Sequence, residues 1–172
     1  MFQTIDDFLR YFRSVHKRAV RDVAALPPEA DGWSPGLGEG ENAWNINTLV
    51  GHLCSSRLYF ASAFRDEGWL SPEPPDVSSQ DKWIPALEQS YDDFVAAVGQ
   101  GPPDWLTRRV KMIDTDGELA GWRVLLMMME HDIHHRSQID TYAGVNGWPV
   151  PDIYGRSAEQ VGLAQESQRD RS

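Results

Sequence analysis

The first part of the chain repeats apolar residues at steps of three and four, which is the period of one face of an α-helix. This pattern begins after Thr4 and continues to Leu26. The Thr4 hydroxyl can cap the helix by accepting a backbone N–H hydrogen bond, and Pro27-Pro28 is a stop signal. The sequence therefore predicts a first helix over 4–26. Its apolar face comprises Ile5, Phe8, Leu9, Phe12, Val15, Ala19, Val23 and Leu26.

The same period predicts three further helices, over about 45–68, 79–98 and 118–143. Asn45 or Asn47 is suited to cap the second helix, since an asparagine side chain accepts hydrogen bonds from the first backbone N–H groups. Four long amphipathic segments with polar connections can bury their apolar faces only against one another. The sequence therefore predicts an all-α fold, a four-helix bundle with long interhelical loops.

The segments between these helices have a different composition. Residues 29–41 and 69–79 are rich in Gly, Pro, Ser and acidic residues, so we expect loops there, with Trp33 anchoring the first. Residues 105–117 alternate loosely and end in an Asp-Thr-Asp-Gly turn sequence. That pattern is typical of a short strand or of an extended loop with a turn, and both interpretations stay open.

The length of 172 residues is typical of one domain that buries its core without disulfides. We therefore expect a single helical-bundle domain over 1–160. Residues 161–172 are polar and are expected to form a frayed C-terminal tail. The single cysteine, Cys54, excludes an internal disulfide and is expected to be a small buried side chain.

The net charge of −10 opposes binding to phosphate backbones or anionic lipid, which attract clustered Lys and Arg. We therefore expect neither nucleic acid nor a membrane surface as a partner. No apolar run approaches the about 20 residues of a membrane-spanning helix. Asp6 and Asp7 stand where a signal peptide would carry basic residues, so a cytoplasmic location is expected.

Candidate chemistry lies in a histidine cluster on the fourth predicted helix, which holds three of the five histidines. His131 and His135 stand one helical turn apart, so their side chains share a face and lie about 5–6 Å from each other. One metal ion can bridge that spacing, with metal–nitrogen bonds of about 2.0–2.1 Å. His134 is rotated by about 100° from His135 and is not expected to share the ion.

The face that carries His131 and His135 is predicted to point inward. Residues one and two turns before these histidines, Met128 and Val124, are apolar. Residues one and two turns after them, Gln138 and Tyr142, are polar and could line a pocket or pair with each other. This change from apolar to polar is expected where a bundle core opens into a pocket.

His52 is the best candidate for a third ligand, because it falls near the middle of the second predicted helix beside its apolar stripe. Three neutral imidazoles would leave one divalent ion with its full charge and an open position. We expect Zn or Ni there. Fe and Mn are alternatives, because ligand type alone does not select the metal. The competing interpretation is a solvated histidine pair on the fourth helix together with a hydrogen-bonded core histidine at His52.

Two cations lie close to these histidines in sequence. Arg57, a turn past His52, and Arg136, next to His135, could hold an anionic group of a substrate near the metal. The alternative for each is an ordinary surface or interhelical salt bridge.

Other polar residues have more than one interpretation. Asp132 or Glu130 could orient an imidazole or be solvated. His16 on the first helix is expected to be structural or exposed.

Two segments resemble motifs of a known family. Asn45-Ile46-Asn47-Thr48-Leu49-Val50-Gly51-His52-Leu53 looks like the second-helix motif of the DinB/YfiT-like superfamily, and the segment from His131 to Ile139 looks like its HxxHHRxQ fourth-helix motif. Trp33-Ser34-Pro35 and the segment from Gly147 to Gly155 resemble its flanking pieces. The similarity spans most of the chain, with one departure at Ser137, where many relatives carry Gly.

The resemblance implies a four-helix bundle with a three-histidine metal site at His52, His131 and His135. Similar proteins include transferases and isomerases that use low-molecular-weight thiols such as bacillithiol or mycothiol. A metal-dependent transferase, in which the ion activates such a thiol for attack on a small electrophilic substrate, is therefore the first functional hypothesis. Metal-dependent hydrolysis of a small molecule and a non-catalytic metal-binding stress-response module are the alternatives. A homodimer is expected from the family and from the seven tryptophans.

Overall fold

Four long helices form the body of the protein in the computed structural model, which describes residues 2–36 and 38–169. Helices α1 and α2 each pack against both α3 and α4. Consequently α1 and α2 occupy opposite corners of the bundle, and the chain between them must cross from one corner to the other. The predicted all-α four-helix bundle is confirmed. The long helices are α1 (Ile5–Ala24), α2 (Ile46–Phe64), α3 (Trp83–Gly99) and α4 (Gly121–Val145).

Side-chain caps start α1 and α2. The Thr4 hydroxyl accepts a hydrogen bond from Asp7 N at 3.0 Å, and Asn45 Oδ1 accepts one from Thr48 N at 2.7 Å. Asn45 is thus the cap of α2. Asn47 instead binds the preceding loop, since its Oδ1 accepts from the backbone N–H of residue 32 at 2.7 Å.

The connections contain short 3₁₀ turns and one small sheet. Strands β1 (Arg109–Lys111) and β2 (Glu118–Ala120) pair antiparallel, with Val110 opposite Leu119. The first of the two interpretations of 105–117, a strand, is therefore the one observed. The 3₁₀ turns are Pro28–Ala30, Gly40–Ala43, Gln80–Lys82 and Pro103–Leu106.

Three predicted helix boundaries are wrong by three residues or more. The third helix begins at Trp83 instead of 79, because residues 80–82 form a 3₁₀ turn. The second helix ends at Phe64 instead of 68, because the chain turns through a positive φ of 70° at Asp66. The fourth helix begins at Gly121 instead of 118, because residues 118–120 pair as β2. A side chain at Gly121 would overlap the carbonyl of Trp105, so only glycine allows α4 to start there.

The C-terminal segment is more ordered than expected. Of the tail predicted to be frayed over 161–172, residues 161–169 belong to a fifth helix, α5 (Ala158–Arg169). Residues 170–172 lie outside the described residues. None of the described residues of α5 is buried, and Val161 and Leu163 are exposed. None of the described helices is long and apolar enough to cross a membrane.

The apolar core is divided into two clusters stacked along the bundle axis. Phe8, Phe12, Phe64, Phe94 and Leu125 belong to one cluster. The other is formed by residues at the opposite end of the same helices, and its larger members are Ile46, Leu49, Leu53, Trp83, Leu87 and Ile139.

Each long helix carries buried polar side chains between the residues that it contributes to the two clusters. Arg57 and Asp132 lie at the centre of this polar layer. Arg57 Nε and Nη2 donate to the two carboxylate oxygens of Asp132 at 3.0 and 3.1 Å. Arg57 Nη1 donates to Leu87 O at 2.9 Å and to Ser90 Oγ at 2.8 Å. Exposure is 0% for Arg57 and 1% for Asp132, so this ion pair is withdrawn from water. Through it α2, α3 and α4 share one hydrogen-bond network.

Replacing one partner of this pair should strongly destabilise the fold. Arg57→Ala leaves the Asp132 carboxylate buried without its counter-charge, so we expect a loss of about 3–5 kcal/mol in the free energy of unfolding, measured by urea denaturation. Arg123→Ala is the control, because Arg123 pairs with Glu130 at the surface of α4. That change should cost about 0–1 kcal/mol. Equal losses in the two variants would contradict the structural role of the buried pair.

Candidate metal centre

The structure brings His52, His131 and His135 together. His131 Nε2 lies 3.0 Å from His52 Nε2 and 3.2 Å from His135 Nε2. All three ligand atoms lie within 4.8 Å of one another. A neutral imidazole has one N–H and one lone pair, so three converging Nε2 atoms offer electron pairs to a common point. This is the arrangement that a metal ion requires.

Helix geometry and the buried ion pair explain this convergence. His131 and His135 are one turn apart on α4 and therefore share its inner face. His52 comes from α2, which packs against α4. Asp132 is adjacent to His131, and its contact with Arg57 fixes the position of α2 along α4. The same register that pairs the two charges therefore places His52 opposite His131.

Aromatic rings enclose the histidines. The Trp44 ring lies 4.8 Å from the ring of His52 and 6.2 Å from that of His135, measured between centroids. The Phe60 ring lies 5.6 Å from that of His131. These apolar neighbours limit access of water to one side of the cluster and lower the local polarity, which favours uncharged imidazoles.

Gln138 orients the ring of His135. Gln138 Nε2 donates to Tyr142 Oη at 3.0 Å and to the backbone carbonyl of Glu41 at 2.9 Å. The amide oxygen therefore faces His135 Nδ1, 3.1 Å away, and accepts its proton. This hydrogen bond leaves the lone pair of His135 on Nε2, toward the other histidines.

Neither acidic neighbour on α4 has the orienting role that we considered from sequence. Asp132 is bound to Arg57, and Glu130 accepts from Arg123 Nη1 at 2.8 Å on the surface. Gln138 takes that role instead. The HxxHHRxQ motif contains this glutamine, so the signal was present, but the sequence alone allowed it either to line a pocket or to pair with Tyr142.

The two arginines that we expected near a substrate have other partners. All three nitrogen atoms of Arg57 donate to Asp132, Leu87 and Ser90 in the bundle interior. Arg136 is 5% exposed, and its Nε faces a carboxylate oxygen of Asp22 at 3.5 Å. The expected anion-binding role is therefore corrected, because each guanidinium is held in a buried structural contact.

Other candidate residues behave as the sequence indicated. Cys54 is buried away from the histidine cluster. His16 is buried, with Nε2 2.9 Å from Glu88 Oε2 and its ring stacked on Tyr91 at 4.2 Å. Trp33 anchors its loop, with its ring 5.1 Å from that of Tyr142.

Glu41 lies beside the cluster although no sequence pattern marks it as part of the site. Its Oε1 lies 3.2 Å from His134 Nε2 and 3.9 Å from His135 Nε2. Glu41 stands in the loop before α2, and 93 residues separate it from His134. No local spacing could have indicated this contact, since it depends on how the loop crosses the bundle. His134 itself is exposed and lies outside the three-histidine cluster.

The histidine cluster borders two clefts of about 520 Å³ each, with His52, Ser55 and Pro74 lining both. His131 lines the first cleft. Among the described residues, no Asp, Glu, Lys or Arg lines either cleft. The first cleft is further lined by Ser56, Tyr59, Phe60, Ser71 and Pro72.

Burial keeps the three histidines uncharged. Burial, together with the neighbouring imidazoles of His135, His52 and His134, lowers the pKa of His131 to about 3. Burial likewise lowers the pKa of His52, and His135 adds to the effect. The pKa of His135 is also lowered by burial, although its hydrogen bond with Gln138 opposes the change. Their lone pairs are thus available at neutral pH.

The fold and the site define a class: a four-helix bundle in which α2 and α4 supply a partly buried tri-histidine cluster. The profile of the DinB family matches residues 1–169. The chain belongs to the DinB family, as the resemblance of its two histidine motifs indicated.

Individual relatives are distant but align over nearly the whole chain. An uncharacterised protein of Bacillus subtilis, YrdA, is 25% identical over 165 residues, which is 93% of each chain. A DinB-like protein from Bacillus cereus shares the fold with a TM-score of 0.71 at 17% identity, covering 88% of this chain and 99% of its own.

YfiT from Bacillus subtilis has a TM-score of 0.64 at 15% identity, covering 84% of this chain and 89% of its own. That protein is described as a probable metal-dependent hydrolase with an unusual four-helix bundle topology.

The lowered pKa of His131 predicts a specific dependence of stability on pH in the metal-free protein. Below pH 6.5 the unfolded chain protonates His131, whereas the folded protein keeps it neutral down to about pH 3. The unfolded state therefore binds more protons in this window, and the free energy of unfolding falls as the pH falls. The contribution changes by up to about 1.4 kcal/mol per pH unit.

His131→Leu should weaken this dependence, because leucine takes up no proton. Urea denaturation with a chelator present, at several pH values through the window, measures the effect. Ser137→Ala, an exposed change on the same helix, is the control and should retain the wild-type dependence. Identical pH profiles for all three proteins would contradict the assignment to His131.

Proposed function

We propose that the protein is a metal-dependent hydrolase of small uncharged molecules, in which His52, His131 and His135 hold one divalent ion. The observation that carries the proposal is the convergence of three uncharged imidazoles at the edge of a cleft without charged lining residues. The description of YfiT as a probable metal-dependent hydrolase supports the reaction class.

The donor set fits an ion. Ligand atoms around a tetrahedral ion with bonds of about 2.0–2.1 Å lie about 3.3 Å apart. Two of the three Nε2 separations, 3.0 and 3.2 Å, are close to this spacing, and all three ligand atoms lie within 4.8 Å of one another. Imidazole nitrogen suits Zn and Ni first, with Fe or Mn as alternatives. When bound, the ion would supply Lewis acidity and lower the pKa of a coordinated water, which hydrolysis requires.

The cleft residues select the substrate. Ser55 and Ser56 donate their hydroxyl protons to the backbone carbonyl of His52 at 3.3 and 2.6 Å, which leaves their oxygen atoms as acceptors toward the cleft. Burial raises the pKa of Tyr59, so its hydroxyl keeps a proton that it can donate to a substrate carbonyl. Phe60 and the prolines provide apolar contact. A small ester, amide or lactone of zero net charge matches these groups.

The metal ligands can be tested directly. Protein loaded with Zn and then desalted should retain one ion per chain, measured by elemental analysis. His52→Ala and His135→Ala should each lose the ion on desalting, because each change removes one of the three imidazole ligands. Ser137→Ala removes an exposed side chain on α4 and should retain the ion. Full occupancy in the His52 and His135 variants would refute the site.

The reaction can be tested by supplying uncharged esters, amides and lactones to protein loaded with Zn, Ni or Mn. We expect turnover that stops on chelation, needs no added thiol and is lost in His52→Ala. Turnover that requires a low-molecular-weight thiol would instead select the thiol transferase implied by the family resemblance. A large loss of melting temperature on chelation without turnover in either assay would favour a structural metal.

A further inference from the structure

We propose that Glu41 supplies a carboxylate ligand to the ion held by the three histidines, delivered by the loop that precedes α2. This inference depends on the metal site proposed above. Its geometric basis is the distance of 3.9 Å between Glu41 Oε1 and His135 Nε2. Neighbouring ligand atoms of one ion lie about 3 Å apart, so a small rotation of the half-exposed Glu41 side chain brings its oxygen within reach. Three imidazoles and one carboxylate would fill four positions, and the fifth position that a zinc ion can adopt would stay open for the water of the proposed hydrolysis.

Three contacts fix the loop backbone at this place. Gln138 Nε2 donates to the carbonyl oxygen of Glu41 at 2.9 Å, and Tyr142 Oη donates to that of Asn42 at 3.1 Å. Trp44 packs its ring against His52 and His135. Glu41 is therefore held beside the cluster by its main chain, and only side-chain torsions separate it from coordination.

The same glutamine binds the loop and the ligand. Gln138 contacts His135 Nδ1 through its oxygen and the Glu41 carbonyl through its nitrogen. One side chain thus sets both the direction of the His135 lone pair and the position of the carboxylate. This shared support is what distinguishes Glu41 from an acidic residue placed at random on the surface.

Charge favours the same assignment. Three neutral imidazoles leave a divalent ion with two uncompensated positive charges in a partly buried site, which is unfavourable without an anion nearby. The carboxylate of Asp132 is already neutralised by Arg57. Among the described residues, Glu41 is the carboxylate placed within 4 Å of a cluster nitrogen.

His134 acts as a positioning residue in this scheme. Its Nε2 lies 3.2 Å from Glu41 Oε1 and can hold the carboxylate near the cluster. Glu41, His134 and His135 could also form a separate outer site. Both arrangements need Nε2 of His135, because its Nδ1 is bound to Gln138, and one nitrogen binds one ion. Our proposal therefore predicts a single ion.

The experiment measures Zn²⁺ affinity by competition with a chromophoric chelator in wild type, Glu41→Gln and Glu39→Gln. Glutamine at 41 removes the charge and keeps the backbone contact with Gln138, so a purely structural role of the loop would leave affinity unchanged. We expect Glu41→Gln to weaken binding by at least about tenfold, with one ion still bound at saturation. Glu39→Gln, an exposed change in the same loop, should match wild type.

A second readout tests coordination directly. Zn X-ray absorption should show three imidazole nitrogens and a carboxylate oxygen in wild type, and the carboxylate contribution should disappear in Glu41→Gln. Equal affinities and equal spectra for wild type and Glu41→Gln would overturn the role of Glu41 while leaving the metal site standing. Two ions per wild-type chain would also overturn it, in favour of a separate outer site. Absence of Zn binding by the wild type would instead remove the proposed function itself.

Discussion

The buried ion pair between Arg57 and Asp132 determines how the helices meet. Apolar side chains tolerate small slips along a helix interface, because many arrangements bury similar areas. A bidentate contact between two buried charges does not tolerate such a slip. A shift of one helical turn, about 5.4 Å, would leave both charges buried and unpaired. Arg57 also binds Leu87 and Ser90, so α3 is held in the same register. Placement of the histidines follows from this constraint, as His131 adjoins Asp132 in sequence.

The histidine cluster combines a core environment with polar support from one side. Burial and mutual repulsion keep the imidazoles neutral, so their lone pairs are available to a metal ion. Gln138 supplies the single hydrogen bond that orients His135, and the loop before α2 adds Trp44 and Glu41 on the outer side. The cleft beyond contributes hydroxyls and rings but, within the described residues, no formal charge. In the proposed function, reactivity would therefore be concentrated at the ion. The residues that line the cleft would select substrates by their shape and their lack of charge.

Local periodicity was sufficient to predict what depends on neighbours in sequence. The helices, the cap at Thr4 and the shared face of His131 and His135 all follow from spacings of three or four residues. The pairing of Arg57 with Asp132 spans 75 residues and has no such signature, so Arg57 was assigned to a substrate from its closeness to His52. The contact between Glu41 and His134 has no local sequence pattern either, since the two residues are 93 positions apart.

Because α1 and α2 occupy opposite corners of the bundle, the segment that connects them is long. Neighbouring antiparallel helices are usually joined by about 2–8 residues, which are too few to reach a site inside the bundle. Here the connection over 25–45 has to traverse the end of the molecule, and it passes the histidines on the way. Specificity can therefore diverge in that segment while the helices that hold the ligands stay the same. The chain path separates the part of the protein that must be conserved for folding from a part that is free to acquire new chemistry.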